Sequence, residues 1–165
     1  MTIRLCRADE QPVITSIINA GAEKFRGVIP DDCFHEPYMS EAALAAEITK
    51  GVVFWGWEED GALAGVMGIQ IVKEQPLIRH AYVRPVLQGR GIGTSLLRFL
   101  IAQHAGDILV GTWAAAAWAI ALYQRHGFVL TDRAETERLL YRYWTVSPRQ
   151  VETSVVLRRA GAENA

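Results

Sequence analysis

Along this chain the apolar residues alternate, recur at helical spacing, then alternate again, and each change of period marks an element. Ile3 and Leu5 alternate with charged or small residues, as on a strand with one buried face. From 11 to about 24, Val13, Ile14, Ile17, Ile18 and Ala22 follow helical spacing, with Asp9 as the expected cap and Pro12 tolerated in the first turn. Gly27 and Pro30 end that run. A polar, aromatic loop over 31–38 then leads to Ser40, which caps a second helix reaching about Lys50. Over 52–72 the period falls to two. Val52, Phe54 and Gly56, the turn Glu59-Asp60-Gly61, and Leu63, Gly65, Met67, Ile69 and Ile71 predict a β-hairpin.

The second half repeats these signals at shorter range. A strand is expected over 77–83, a glycine-rich turn over 89–93, and a helix from 94 to about 103 with Leu96, Leu97, Leu100 and Ile101 on one side. A short buried strand over 108–112 precedes an alanine-rich helix over 114–126, with Trp118 and Leu122 toward the core and Gly127 as its stop. Residues 128–131 resume as strand. The stretch 132–150 is too long for a hairpin loop, and Leu139, Leu140, Tyr143 and Trp144 suit a short helix before a last strand over 151–157. The order is α+β, or mixed α/β. One domain over 1–159 is expected, with a frayed tail over 160–165.

Composition narrows the function classes. The 165 residues are half apolar and 21% charged, enough for one core and unlike a disordered or coiled-coil chain. A formal charge of −1 gives the whole molecule no electrostatic reason to seek nucleic acid or an anionic membrane, so any anion must be caught locally. Two cysteines, Cys6 and Cys33, make no disulfide framework, and Cys33-x-His35 alone makes no zinc site, so no metal is expected. Charge interrupts the first residues before a signal core develops, and no apolar run approaches membrane length; the expectation is a cytoplasmic protein. Eight of the 14 glycines lie between Gly51 and Gly93, which concentrates backbone freedom in one stretch.

Part of that stretch, Gln88-Gly89-Arg90-Gly91-Ile92-Gly93-Thr94, stands between a predicted strand and a predicted helix. Such a turn points several backbone N–H groups at one spot where a helix adds partial positive charge, an arrangement suited to phosphate, with Arg90 as a nearby cation. Spacing eliminates two common phosphate motifs. A dinucleotide fingerprint counted from Gly89 requires glycine where Thr94 stands, and a P-loop requires Gly-Lys-Ser/Thr where Ile92-Gly93-Thr94 stands.

Gln88-x-x-Gly91-x-Gly93 resembles the acyl-CoA signature of the GCN5-related N-acetyltransferase (GNAT) superfamily. The segment from Ala119 through Tyr123 to Gly127-Phe128 is similar to that family's helix-end pattern. The resemblance extends over nearly the whole chain. It implies a mostly antiparallel twisted sheet of about seven strands with a splayed parallel pair, its fourth and fifth, flanked by about four helices. It further implies acetyl-CoA as co-substrate, its pyrophosphate on the amides of Gln88, Gly89, Arg90, Gly91, Ile92, Gly93 and Thr94, its pantetheine beside Tyr82 and Val83, and Tyr123 near the thioester sulfur.

Two positions depart from the family pattern. Many relatives carry Glu or His in the fourth strand near the positions of Leu77, Ile78 and Arg79, and Ala116 stands where relatives often have asparagine. An ammonium must lose a proton before its nitrogen can attack, so a base is expected. His80 is the nearest titratable candidate, although strand alternation turns it away from Arg79 and Ala81 unless a bulge re-aims it. By resemblance the 31–38 loop lies on the acceptor side, where Asp31, Asp32 and Glu36 would attract a cationic amine. The expectation is an N-acetyltransferase acting on a primary amine by direct attack in a ternary complex. A small amino acid or drug-like amine is favoured over a protein N-terminus or lysine, because the stretch around Gln88 resembles the phosphinothricin-type branch. A non-catalytic acyl-CoA-binding module of the same fold is the alternative class. The aromatic stretch Tyr141-Arg142-Tyr143-Trp144 suits either acceptor cover or a homodimer contact.

Overall fold

In the computed structural model, which describes residues 1–162, the alternating runs become seven strands and the helical runs six helices. In chain order they are β1 (Thr2–Leu5), α1 (Gln11–Ala22), α2 (Glu41–Thr49), β2 (Val53–Glu59), β3 (Ala62–Val72), β4 (Gln75–Val83), α3 (Ile92–Ala102), β5 (Ile108–Trp113), α4 (Ala117–Arg125), β6 (Val129–Leu130), α5 (Arg133–Tyr143), α6 (Pro148–Thr153) and β7 (Ser154–Arg159). The strands form one sheet in the order β1-β2-β3-β4-β5-β7-β6. Every pairing is antiparallel except β4 with β5.

β3 divides the core between the two faces of the sheet, and a bulge at Ala64 puts Leu63 and Val66 on the same one. Leu63 and Val66 pack with Phe54 against Ile14, Ile17 and Ile18 of α1 and Leu44 of α2. Met67 and Ile69 turn the other way, onto Leu96, Leu97 and Leu100 of α3. Those three leucines are fully buried, each contributing about 1.5–3 kcal/mol relative to exposure. A third cluster joins Leu139 and Leu140 of α5 and Val151 of α6 to Leu109 and Val156. Trp55 and Trp57 face the α3 side, Trp55 with its ring 4.7 Å from that of Phe99, so these tryptophans belong to the core.

The ladder changes character along β4. Val66 pairs with Tyr82 and Gly68 with Arg79, so His80 and Ala81 together oppose the single residue Met67. This is a β-bulge, and His80 sits in it at φ 52°. On the other edge, β4 meets β5 only through Leu77 with Leu109 and Ile78 with Val110. Beyond Ile78 the two parallel strands part.

Several details differ from the sequence expectation. Six helices stand where the resemblance implied about four: α5 fills the 132–150 segment where a short helix was expected, and α6 begins at the end of that segment. Asp132 caps α5 by accepting from the Glu135 N–H at 2.8 Å. Ser147 and Gln150 form a reciprocal capping box at the start of α6, which makes the first residues of the expected last strand helical instead. Asp9 caps nothing; Ala8–Glu10 is a 3-10 turn that delivers Glu10 to Arg4. Gly161, inside the tail expected from 160, is buried and donates its N–H to Asp107 Oδ1 at 2.8 Å; residues 163–165 of that expected tail lie outside the described residues. No helix among the described residues is long and apolar enough to cross a membrane.

Arg4 fastens the first strand to its neighbour β2 and to the turn before α1. Its guanidinium donates to Glu58 at 2.6 and 2.9 Å and to Glu10 at 2.7 and 3.0 Å. The Arg4 bonds, opposed by burial and aided by the Arg7 N–H, lower the Glu10 carboxyl from its ordinary 4.5 to about 2. A carboxyl lowered on folding stabilises the fold above its ordinary value, and that contribution disappears as pH falls through 4.5 toward 2. Glu10→Gln is therefore expected to lower stability at pH 7 by about 1–3 kcal/mol. Denaturant melts at several pH values should show the gap from the parent narrowing as the medium is acidified below 4.5.

Candidate active site

The parting of β4 and β5 opens a cleft of about 1020 Å³. Its walls are the outer half of β4, with Arg79, His80, Ala81, Tyr82 and Val83, and the Val110–Trp113 part of β5. At one end lie Gln88, Gly89, Gly91, Ile92, Gly93 and Thr94. Gly89 and Gly91 both have φ 79°, a left-handed conformation that disfavours other residues, and Gly91 is the N-cap of α3. The first N–H groups of a helix have no carbonyl four residues behind them, so this end of the cleft presents donors backed by the dipole of α3.

Charge on the cleft wall departs from that of the whole chain. Lys24, Arg79, Arg125 and Arg149 face two carboxylates, Asp32 and Glu47. Four cations against two anions make the lining net positive on a chain of charge −1. Arg125 has no ion pair among the described residues. The expected cation Arg90 does not line the cleft; its guanidinium is held by Glu59 of the hairpin at 2.7 Å, leaving only its main chain in the turn.

Tyr123 projects from α4 onto the same cleft and is 5% exposed. The helix places it there because Gly127, at φ 86°, ends the last turn and lets Phe128 pack edge-on against the Tyr123 ring at 5.6 Å. No hydrogen bond among the described residues engages its hydroxyl. Burial pushes its pKa well above the usual phenol range, so the proton stays on the oxygen at neutral pH.

On the opposite wall the bulge decides where His80 points. Consecutive residues of a regular strand lie on opposite faces, yet Arg79 and His80 both reach Glu47 of α2. His80 Nε2 is hydrogen-bonded to Glu47 Oε2, and its ring stacks on Phe54 at 6.1 Å between centroids. Arg79 Nη2 lies 3.3 Å from Glu47 Oε1. Burial would raise the Glu47 carboxyl; the His80 bond and the charges of His80, Arg79 and Lys50 outweigh it and hold the group below its ordinary range. The carboxylate on this part of the cleft wall thus comes from a helix, not from the fourth strand. Its signal in the sequence was Leu44-x-x-Glu47-Ile48, which sets a glutamate beside the buried stripe of α2.

The acidic loop is rearranged relative to expectation. Only Asp32 of the trio Asp31, Asp32 and Glu36 lines the cleft. It is already matched by Arg149 of α6, at 2.9 and 3.1 Å, and Glu36 is held by Arg26. An expected patch of free negative charge is therefore a pair of opposite signs spanning the cleft. Aromatic side chains close the same region: Phe25 stacks on Trp118 at 5.8 Å, Lys24 lies 4.7 Å from the Trp118 centroid, and Trp113 Nε1 donates to Tyr38 Oη at 2.8 Å. Trp118 is thus a cleft wall as much as a core residue. Cys33 and His35 line the cleft, but no group of three metal-ligating side chains occurs among the described residues.

Gly68 faces the bulge from β3. A Cβ there would lie 2.8 Å from the Arg79 carbonyl oxygen and 3.0 Å from Val52 Cγ1. Gly68→Ala is expected to lower stability by about 1–3 kcal/mol through overpacking, measurable by urea denaturation.

The profile of the acetyltransferase (GNAT) domain matches residues 50–130, which include the hairpin, the glycine turn and α4. The chain is 30% identical over 122 residues to the peptidyl-lysine N-acetyltransferase YiaC of Escherichia coli (strain K12), covering 74% of this chain and 76% of that one. It is also 30% identical over 121 residues to phosphinothricin N-acetyltransferase of Alcaligenes faecalis, covering 68% of this chain but only 57% of that relative's length. Among solved structures, PaiA N-acetyltransferase from Thermoplasma acidophilum, in complex with coenzyme A, superposes with TM-score 0.68 at 14% identity over 97% of this chain and 99% of that one.

Proposed function

The chain belongs to the GNAT family of N-acetyltransferases, and from that premise we propose that it transfers the acetyl group of acetyl-CoA to the primary amine of a small amino acid or drug-like molecule. The observation that carries the proposal is the joining, in one cleft, of three features: unpaired strand edge, a helix N-terminus with free amides, and a buried protonated phenol. The unpaired backbone of β4 near Tyr82 and Val83 would hold the pantetheine amides. The amides from Gly89 to Thr94 would hold the pyrophosphate, helped by the net positive lining, whereas the Gln88 N–H expected beside them already donates to the Pro85 carbonyl at 3.3 Å. The thioester supplies an electrophilic carbonyl carbon and a thiolate leaving group.

Each side chain then has one task. Tyr123 donates the proton that the departing sulfur takes up, and burial keeps that proton available. His80 accepts a proton from the acceptor ammonium, leaving a nitrogen lone pair to attack. A C–N bond forms and a C–S bond breaks with no acyl-enzyme, and the second proton that the nitrogen loses replaces the one Tyr123 gave to sulfur. The aromatic wall of Phe25, Tyr38, Trp113 and Trp118 and the Asp32–Arg149 pair bound the acceptor side, and the paired opposite charges suit an acceptor carrying both an ammonium and an anion. The likeness to the peptidyl-lysine enzyme supports a second reading, a lysine side chain within a protein.

Acetyl-CoA is expected to raise the melting temperature more than NADH or ATP does, and to release free CoA only when an amine is added. Tyr123→Phe should keep the melting shift while turnover falls by about 10²-fold or more. A panel of amino acids, drug-like amines and lysine peptides, followed by free thiol, separates the two acceptor classes. Melting unaffected by acetyl-CoA would sink the proposal.

A further inference from the structure

We propose that Glu47 is a positioning residue that holds the His80 imidazole in one tautomer, with the proton on Nε2 and the lone pair of Nδ1 free to take a proton from the acceptor; this rests on the acetyl-transfer reading above. The backbone is the first support. His80 is a non-glycine residue at φ 52°, a left-handed conformation that L side chains disfavour, inside a bulge that swings it onto the face where Glu47 stands. A histidine serving only to fill a strand face has no need of that conformation.

The second support is the way the carboxylate is itself held. Glu47 Oε2 receives His80 Nε2, and Oε1 faces Arg79 Nη2 at 3.3 Å. Arg79 Nη1 donates to Gln70 Oε1 at 2.7 Å, and Gln70 Nε2 donates to the Lys50 carbonyl at 3.1 Å. Lys50 follows directly on α2, so the chain of bonds closes on the helix that carries Glu47. Each member after His80 fixes the one before it. A carboxylate can only accept here, because Arg79 on one oxygen and His80 on the other both favour its ionised form, so the Nε2 atom must be the donor. Nδ1 takes part in no hydrogen bond among the described residues.

Third, both partners line the cleft. A merely structural link between α2 and β4 has no reason to stand on the cleft wall opposite Tyr123. When the acceptor ammonium gives its proton to Nδ1, the imidazolium forms beside a carboxylate already aligned with Nε2–H. That proton stays on His80 while the C–N bond forms and the C–S bond breaks, the nitrogen's second proton restores Tyr123, and bulk water then takes the proton from His80.

Two measurements test this on the full chain. In the protein without ligand, long-range 1H–15N correlation should show His80 as the single Nε2–H tautomer. It should become a mixture in Glu47→Ala and remain Nε2–H in Glu47→Gln, whose amide oxygen accepts the same bond. In turnover, kcat of Glu47→Ala should fall about tenfold or more with the KM for acetyl-CoA unchanged, and that of Glu47→Gln should lie between Glu47→Ala and the parent. An Nδ1–H tautomer in the parent protein, or a folded Glu47→Ala with parental kcat, overturns the role of Glu47 while leaving the acetyl-transfer reading intact. A parent protein that acetylates no amine overturns both.

Discussion

Backbone N–H and C=O groups that leave a sheet ladder must find other partners, and the structure turns on two neighbouring strands that do leave it. β4 and β5 share only the pairs Leu77–Leu109 and Ile78–Val110 before they separate. Two features keep them apart. The bulge at His80 and Ala81 bends and twists β4 just past the last shared pair, and the rings of Phe25, Tyr38, Trp113 and Trp118 pack as one cluster along the widening gap. The polar edge that results is useful only to a ligand that can complete it. An extended chain bearing amides, such as a pantetheine arm, has the right groups in the right form.

The same strand carries the proposed base. Because the bulge adds one residue, Arg79 and His80 share a face and converge on Glu47, while Ala81 and Val83 return to the α3 side and Tyr82 packs toward α1. Tyr123 approaches from the other side on α4. One irregularity in one strand thus opens the cleft and aims a candidate base into it. A second irregularity, the left-handed glycines before α3, ends the cleft in a set of amide donors. Electrostatics follow the same local logic: a chain near neutrality overall holds a cleft lined with an excess of cations, so a polyanionic co-substrate is attracted without a basic surface elsewhere.

Most of the scaffold was legible because short-range signals decide it. Asp60-Gly61 between alternating runs specifies the hairpin, Ser40 caps α2 through the Ala43 N–H, and the two glycine motifs at 89–93 and 127 carry left-handed backbone that few other residues tolerate. What escaped the sequence depends on contacts between distant residues. The Asp32–Arg149 pair joins residues 117 positions apart, and it changes an acidic loop into a neutral span. Glu47 and His80 are 33 apart, and neither residue alone announces the other. The bulge is harder still, because a histidine in left-handed conformation leaves no mark in a strand that otherwise alternates. The start of the last strand was misplaced for a local reason: Ser147, Pro148 and Gln150 are strong helix-start residues next to a run of β-branched valines.

Hydrogen exchange on the unmodified chain, with and without acetyl-CoA, probes the central claim that the parted strands and the α3 turn form one acyl-CoA site. Saturating acetyl-CoA should slow exchange at peptides containing Gly91–Thr94 and Tyr82–Val83 together, and leave β1 and β2 at their original rates. Protection confined to another part of the molecule, or none at either segment, would contradict the account.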